Sequence, residues 1–147
     1  MVDPDMIERR LLRLENTLRK LGSAAQTTRE AYLQDETVQD GVERNLQVAI
    51  QVCIDIASHF VASLGLRGPE SYADLFSILR EESLLSPGLS RTMQRMVGFR
   101  NILVHDYMDI NAEFVYEHLK SLDHFRQYAR EILAVLESVK GDRPPPE

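Results

Sequence analysis

The sequence predicts an all-α fold, an up-and-down bundle of about five helices, and three observations carry that expectation. Apolar residues recur at steps of three and four, from Ile7, Leu11, Leu14, Leu18 and Leu21 at the start to Val115, Leu119, Leu122, Phe125, Ala129, Ile132 and Leu136 near the end. That spacing turns one face of a helix inward. Capping chemistry punctuates these registers: Asp3-Pro4, Ser71 with Asp74, and Ser86-Pro87 each put an N-cap oxygen or a first-turn proline where a helix should begin. No segment alternates apolar and polar residues between turn signals, as a strand would.

The first helix opens at Asp3 and Pro4, with Glu8, Arg9, Arg10, Arg13 and Lys20 on its solvated face. Gly22-Ser23-Ala24-Ala25 ends or kinks it, and Thr27 to Leu33 continues the helical pattern. A second helix begins around Asp35-Glu36-Thr37 and runs to Leu64, with Gly65 as its stop. Its apolar residues cover more than one face, as in the central helix of a bundle, and one polar line of Gln47, Gln51, Asp55, Ser58 and His59 interrupts them. That line is either an outer face or the border of a cleft. After the loop Arg67-Gly68-Pro69-Glu70 comes a short helix with Tyr72, Leu75, Phe76 and Leu79 inward, then a helix from Ser86-Pro87 to about Val104. Arg91 and Arg95 lie four apart on its flank, as surface charge or phosphate contacts. Asn111 opens the last helix.

The chain of 147 residues suits one domain, a single helical unit over 1–140 followed by a flexible Pro-rich tail at 141–147. Its 44% hydrophobic and 27% charged residues belong to a globular protein, with no apolar run of membrane-spanning length. The acidic N-terminus lacks the charged and apolar regions of a secretion signal. Cys53 is alone, among Val52, Ile54 and Ile56, so an intrachain disulfide is impossible and a reducing cytoplasm fits best. A net charge of −6 argues against general adhesion to nucleic-acid backbone, although a nuclease needs only a local positive field.

Chemistry should concentrate in Gly98-Phe99-Arg100-Asn101-Ile102-Leu103-Val104-His105-Asp106-Tyr107. Leu89, Met93, Met96, Arg100 and Leu103 form an inward seam in which the arginine stands where a leucine is expected. An arginine there needs a carboxylate, a polar cleft or an anionic ligand, unless it snorkels to the bundle edge. Metal and cofactor chemistry have no motif: His59, His105, His118 and His124 never stand three or four apart, and there is no GxSxG elbow, phosphate-binding loop or dinucleotide fingerprint. Arg100, Asn101, His105, Asp106 and Tyr107 remain. Five residues on an ideal helix separate Arg100 from His105 by about 140°, so they meet only where the helix ends or where a second copy of the chain joins them. A two-fold dimer with two Arg100 and two His105 around one groove has the parts to cleave a phosphodiester without metal. The imidazole moves the proton of a ribose 2′-hydroxyl or of the leaving oxygen, and the guanidinium stabilises charge on phosphorus oxygens. RNA is the implied substrate, since DNA lacks that hydroxyl.

The run Arg100 to Tyr107 resembles the Arg-four-residues-His-one-residue-Tyr motif of the HepT toxins in the HEPN superfamily. Val42-Glu43-Arg44-Asn45-Leu46-Gln47-Val48-Ala49-Ile50 with Asp55-Ile56 and His59, Ser71-Tyr72-Ala73-Asp74-Leu75-Phe76, and Met96-Val97-Gly98-Phe99 are similar to that family as well, over roughly Val42 to Phe125. The resemblance implies a small all-α homodimer and a metal-independent endoribonuclease toxin, with Arg100 and His105 catalytic. It implies a partner, a minimal nucleotidyltransferase (MNT) antitoxin that silences the toxin by transferring AMP to Tyr107, and it keeps Asp55 as a residue orienting Arg100 or His105. The rival expectation is a non-catalytic helical module that presents nucleotide or RNA to a nucleotidyltransferase. A purely structural dimerisation bundle is the third.

Overall fold

The computed structural model describes residues 1–141; the expected tail, apart from Gly141 at the end of the last helix, lies outside them. Among the described residues there are seven α-helices and no strand: α1 (Pro4–Ala24), α2 (Arg29–Leu33), α3 (Glu36–Ser63), α4 (Tyr72–Glu81), α5 (Pro87–His105), α6 (Ala112–His118) and α7 (Asp123–Gly141). Two single 3-10 turns, Tyr107–Asp109 and Leu119–Ser121, flank α6.

Local chemistry accounts for most of the boundaries. The Asp3 carboxylate accepts the Met6 N–H at 3.2 Å and starts α1, Thr28 accepts from Ala31 to start α2, and Asp35 accepts from Val38 to start α3. Gly65, at φ 64°, takes the left-handed conformation that stops α3. Two boundaries differ from the sequence expectation. The Ser86 side chain does not cap its own helix; instead Glu131 of α7 accepts the Ser86 N–H at 2.7 Å and the Ser86 hydroxyl at 3.0 Å. An acid brought in by the fold thus replaces a local cap. The last register also breaks into α6, a 3-10 turn and α7. Leu119, Leu122 and Phe125 step by three twice, and the 3-10 turn, at about three residues per turn, keeps all three on the buried face.

α3 is the central element, packed against α1, α2, α4 and α5. It is long and apolar enough to cross a membrane by length and composition, yet Val42, Leu46, Ala49, Ile50, Cys53, Ile56, Ala57 and Phe60 are buried inside the bundle. α4 packs on α5, and α7 lies against α1 and α5. Tyr128 of α7 is fully buried, with its ring edge-on to Phe76 and its hydroxyl donating to the Cys53 carbonyl at 2.9 Å. Burial pushes that phenol well above its usual pKa, so it stays a donor throughout the ordinary pH range. Tyr128→Phe removes one buried hydrogen bond without a cavity, and is expected to lower unfolding free energy by about 1 kcal/mol in a urea titration.

Candidate active site

α5 carries Leu89, Met93, Met96 and Leu103 into the core, and Arg100 occupies the same seam. Its guanidinium reaches the edge of the bundle, half-buried, with Nε enclosed and without a hydrogen-bond partner. One terminal nitrogen donates to Gln51 Oε1 at 3.1 Å, the other to Asn101 Oδ1 at 3.3 Å, and the group lies 5.6 Å from the centre of the Tyr72 ring. All three neighbours are uncharged. Among the described residues no carboxylate comes within ion-pairing distance of Arg100.

Asp55 is one helical turn along α3 from Gln51 and accepts the Gln51 side-chain N–H at 2.9 Å; its other oxygen lies 3.8 Å from Arg10 Nε. Asp55 therefore faces the cluster but approaches Arg100 only through Gln51, and its charge is turned toward α1. This bond also fixes the Gln51 amide with its oxygen toward Arg100. Gln51 was visible in the sequence only as part of a polar line on an apolar helix. Nothing in its spacing set it apart, since Gln47, Gln51, Asp55 and His59 all stand four apart. Tyr72 had no signal either, because an aromatic at the start of an amphipathic helix reads as core; the residue is 51% exposed. His59 has a structural partner set, its Nε2 taking the Asp3 N–H at 2.9 Å and lying 3.3 Å from the Ser63 hydroxyl. It ties the start of α1 to the end of α3.

His105, Asp106 and Tyr107 form a second group. His105 is the last residue of α5, Asp106 is its C-cap with its N–H donating to the Ile102 carbonyl at 2.9 Å, and Tyr107 opens the 3-10 turn. All three are exposed, Tyr107 to 68%, beside Met108 at 82% and Ile102 at 41%. α5 remains helical through His105, so the angular offset expected from the sequence persists, and no hydrogen bond joins these side chains to Arg100 among the described residues. Asn101 touches Arg100; Asp106 does not. Arg91 and Arg95 are exposed, with Arg95 donating to Thr92 at 3.3 Å.

The loop before α4 is held by Arg67. Its guanidinium makes paired bonds to Asp74 at 2.8 and 2.9 Å and to Glu81 at 2.8 and 2.9 Å, while Asp74 also accepts the Glu70 N–H at 3.0 Å. These bonds hold the Asp74 carboxyl down at about 2, with Arg67 the largest cause, and they raise the arginine in turn. Ser71 caps α4 by accepting the Asp74 N–H at 3.1 Å, but Asp74 spends its carboxylate on Arg67 and Glu70 rather than returning it to Ser71. The expected reciprocal capping box is thus half formed.

The remaining chemistry-bearing groups are separate. Cys53 is buried, and its thiol is pushed up by burial, which leaves it protonated and unreactive. No group of three or more His, Cys, Asp or Glu side chains is placed to hold a metal ion among the described residues. A larger apolar groove of about 620 Å³ between α1 and α7, with Leu11, Leu12 and Leu133 on its walls, shares no residue with the Arg100 cluster.

Comparison with known proteins gives a consistent grouping. The sequence model of the ribonuclease HepT-like family matches residues 14–132. An mRNA nuclease HepT of Shewanella oneidensis is 40% identical over 98 residues, covering 64% of this chain and 74% of that protein. A tRNA nuclease HepT of Aphanizomenon flos-aquae is 30% identical over 138 residues, 92% of each. Among solved structures, the tri-AMPylated HEPN toxin of Shewanella oneidensis in complex with its MNT antitoxin superimposes with a TM-score of 0.82 at 33% identity, covering 88% of this chain and 98% of that one.

Proposed function

This chain belongs to the ribonuclease HepT-like family, and from that membership we propose that it is an endoribonuclease toxin, paired with an MNT-type nucleotidyltransferase antitoxin. The observation that carries the chemistry is Arg100, a guanidinium in an apolar seam bonded only to neutral groups. Among the described residues its charge has no counterion, which is the condition under which a phosphate becomes the favoured partner. Gln51 and Asn101 aim it, and Asp55 holds Gln51.

The reaction is in-line attack of a ribose 2′-hydroxyl on the adjacent phosphorus. The 2′ O–H proton goes to a base, the P–O5′ bond breaks, the leaving O5′ takes a proton, and a 2′,3′-cyclic phosphate and a 5′-hydroxyl result. His105 exchanges the proton and Arg100 stabilises the charge that builds on the non-bridging oxygens. Because one regular α5 holds Arg100 and His105 on different sides, the working site is built across a two-fold dimer, one α5 facing the other. The exposed Ile102 and Met108 in the same stretch supply apolar surface for that contact. Tyr107 is open to a modifying enzyme, and an AMP on its hydroxyl brings phosphate to the end of α5, where it competes with RNA. A cytoplasmic setting goes with this role.

The mechanism assigns no task to a metal. The purified protein is expected to cleave single-stranded RNA with EDTA present and to leave a DNA strand of the same sequence intact. A strict requirement for added Mg²⁺ removes the mechanism.

A further inference from the structure

Arg100 is not the only feature at the Tyr72 ring. The same ring forms a wall of a depression of about 400 Å³ whose lining is Ser58, Pro69, Glu70, Ser71, Tyr72 and Leu75. Tyr72 thus stands between an arginine without a counterion among the described residues and an open, largely apolar hollow lined in part by Ser58 and Ser71. Gln51, Asp55 and Ser58 follow one another on the same face of α3 at steps of four and three, so the hollow lies ~10 Å along the helix from the residue that aims Arg100. Arg67 bridges Asp74 and Glu81, and Asp74 accepts the Glu70 N–H, which joins the Pro69-Glu70-Ser71 segment to α4.

We propose that this depression is a nucleobase subsite: the base of a nucleotide adjoining the phosphate at Arg100 stacks on Tyr72 and sits between Pro69 and Leu75. This rests on the RNA-cleaving reading above and adds to it the residue that grips the strand. A phosphate-holding arginine beside an aromatic face open to solvent is the pairing by which single-stranded RNA is gripped, backbone by charge and base by stacking. The preformed hollow explains why a ring this large is left half outside the bundle, on a helix whose other aromatic, Phe76, is fully buried.

The test uses a non-cleavable 2′-O-methyl RNA strand carrying 2-aminopurine at each position in turn, with full-length protein. One position is expected to lose fluorescence on binding to the wild type, to stay bright with Tyr72→Leu, and to be quenched again with Tyr72→Phe. With cleavable RNA, Tyr72→Leu should raise KM about tenfold with kcat changed less than threefold, and Tyr72→Phe should restore KM. Ser58→Phe, which fills the hollow from α3 and leaves the tyrosine in place, should raise KM in the same way. If no position is quenched, or if Tyr72→Leu and Ser58→Phe keep the wild-type KM, there is no base subsite. Displacement of the strand by AMP alone at equal concentration would also overturn the proposal, since the hollow would then serve a free nucleotide. Quenching at one position with no cleavage of any RNA would uphold the subsite and sink the ribonuclease reading.

Discussion

Arg100→Ala is expected to reduce RNA cleavage by at least ~10²-fold, the loss on removing a charge-stabilising donor from a phosphoryl or acyl transfer site, while the protein still melts cooperatively as a helical bundle. The separation of these effects follows from what Arg100 touches. Its removal costs the hydrogen bonds to Gln51 and Asn101 and the contact with the Tyr72 ring, all at the half-buried edge of the bundle and together about 1–3 kcal/mol, and removes an enclosed Nε that has no partner. The fold therefore loses little. Arg100→Lys should rescue less than a tenth of the activity, because one ammonium cannot hold the Gln51 oxygen and brace a phosphate in a fixed plane together. His105→Ala should lose a similar ~10²-fold or more, as general acid–base catalysis is worth, with RNA affinity kept because the phosphate contact stays. Mixing the two inactive variants tests the dimeric site: if each site combines Arg100 of one protomer with His105 of the other, mixed dimers recover part of the activity. Should Arg100→Ala weaken RNA binding in a wild-type protein that never cleaves, the chain is a binding module and the catalytic assignment falls.

Production together with a cognate MNT-type nucleotidyltransferase is expected to add one or more AMP masses to the intact protein, placed on Tyr107 by peptide mapping, and to lower RNA cleavage by two orders of magnitude or more. Tyr107 is exposed in a 3-10 turn that follows the end of α5, so its hydroxyl can enter another enzyme's site without unfolding of the bundle. In the proposed dimeric groove, added phosphate there approaches Arg100, which has no counterion among the described residues, and like charge repels the strand. Tyr107→Phe should cleave RNA at near the wild-type rate and escape silencing by the partner. An inactive Tyr107→Phe made alone would show that the phenol belongs to the chemistry, and AMP mapped to another residue would remove Tyr107 from the switch.

The sequence carried more of the fold than of the site. Helix positions follow from local rules: a three- or four-residue apolar step, an Asp or Thr that caps two or three residues ahead, a glycine at positive φ. Each needs information only from within a turn or two, so α1, α3, α4 and α5 stand within a few residues of where the sequence puts them. The expected five helices became seven among the described residues because Thr28 restarts the chain after α1 and because two successive steps of three at Leu119, Leu122 and Phe125 require tighter winding. Both signals were local and legible. The out-of-place Arg100 in the seam was legible in the same way, as was its angular separation from His105.

What the sequence by itself determined about this protein is therefore the helical registers, the identity of the residue that breaks the apolar seam, and the motif that joins Arg100, His105 and Tyr107. The tertiary structure alone decided which polar groups meet across helices. Gln51 and Arg100 are 49 residues apart, Ser86 and Glu131 are 45 apart, and Asp55 leans to Arg10 of α1 rather than to the arginine of the site. The physical reason is that several residues on a polar helix face have equal claim to a distant partner until the packing of the apolar faces sets the axial offset and rotation of each helix. A shift of one residue along α3 turns Gln51 by about 100° and would give Arg100 a different neighbour. The same packing left the Tyr72 ring half outside and placed the hollow beside it, which no spacing along the chain could have announced.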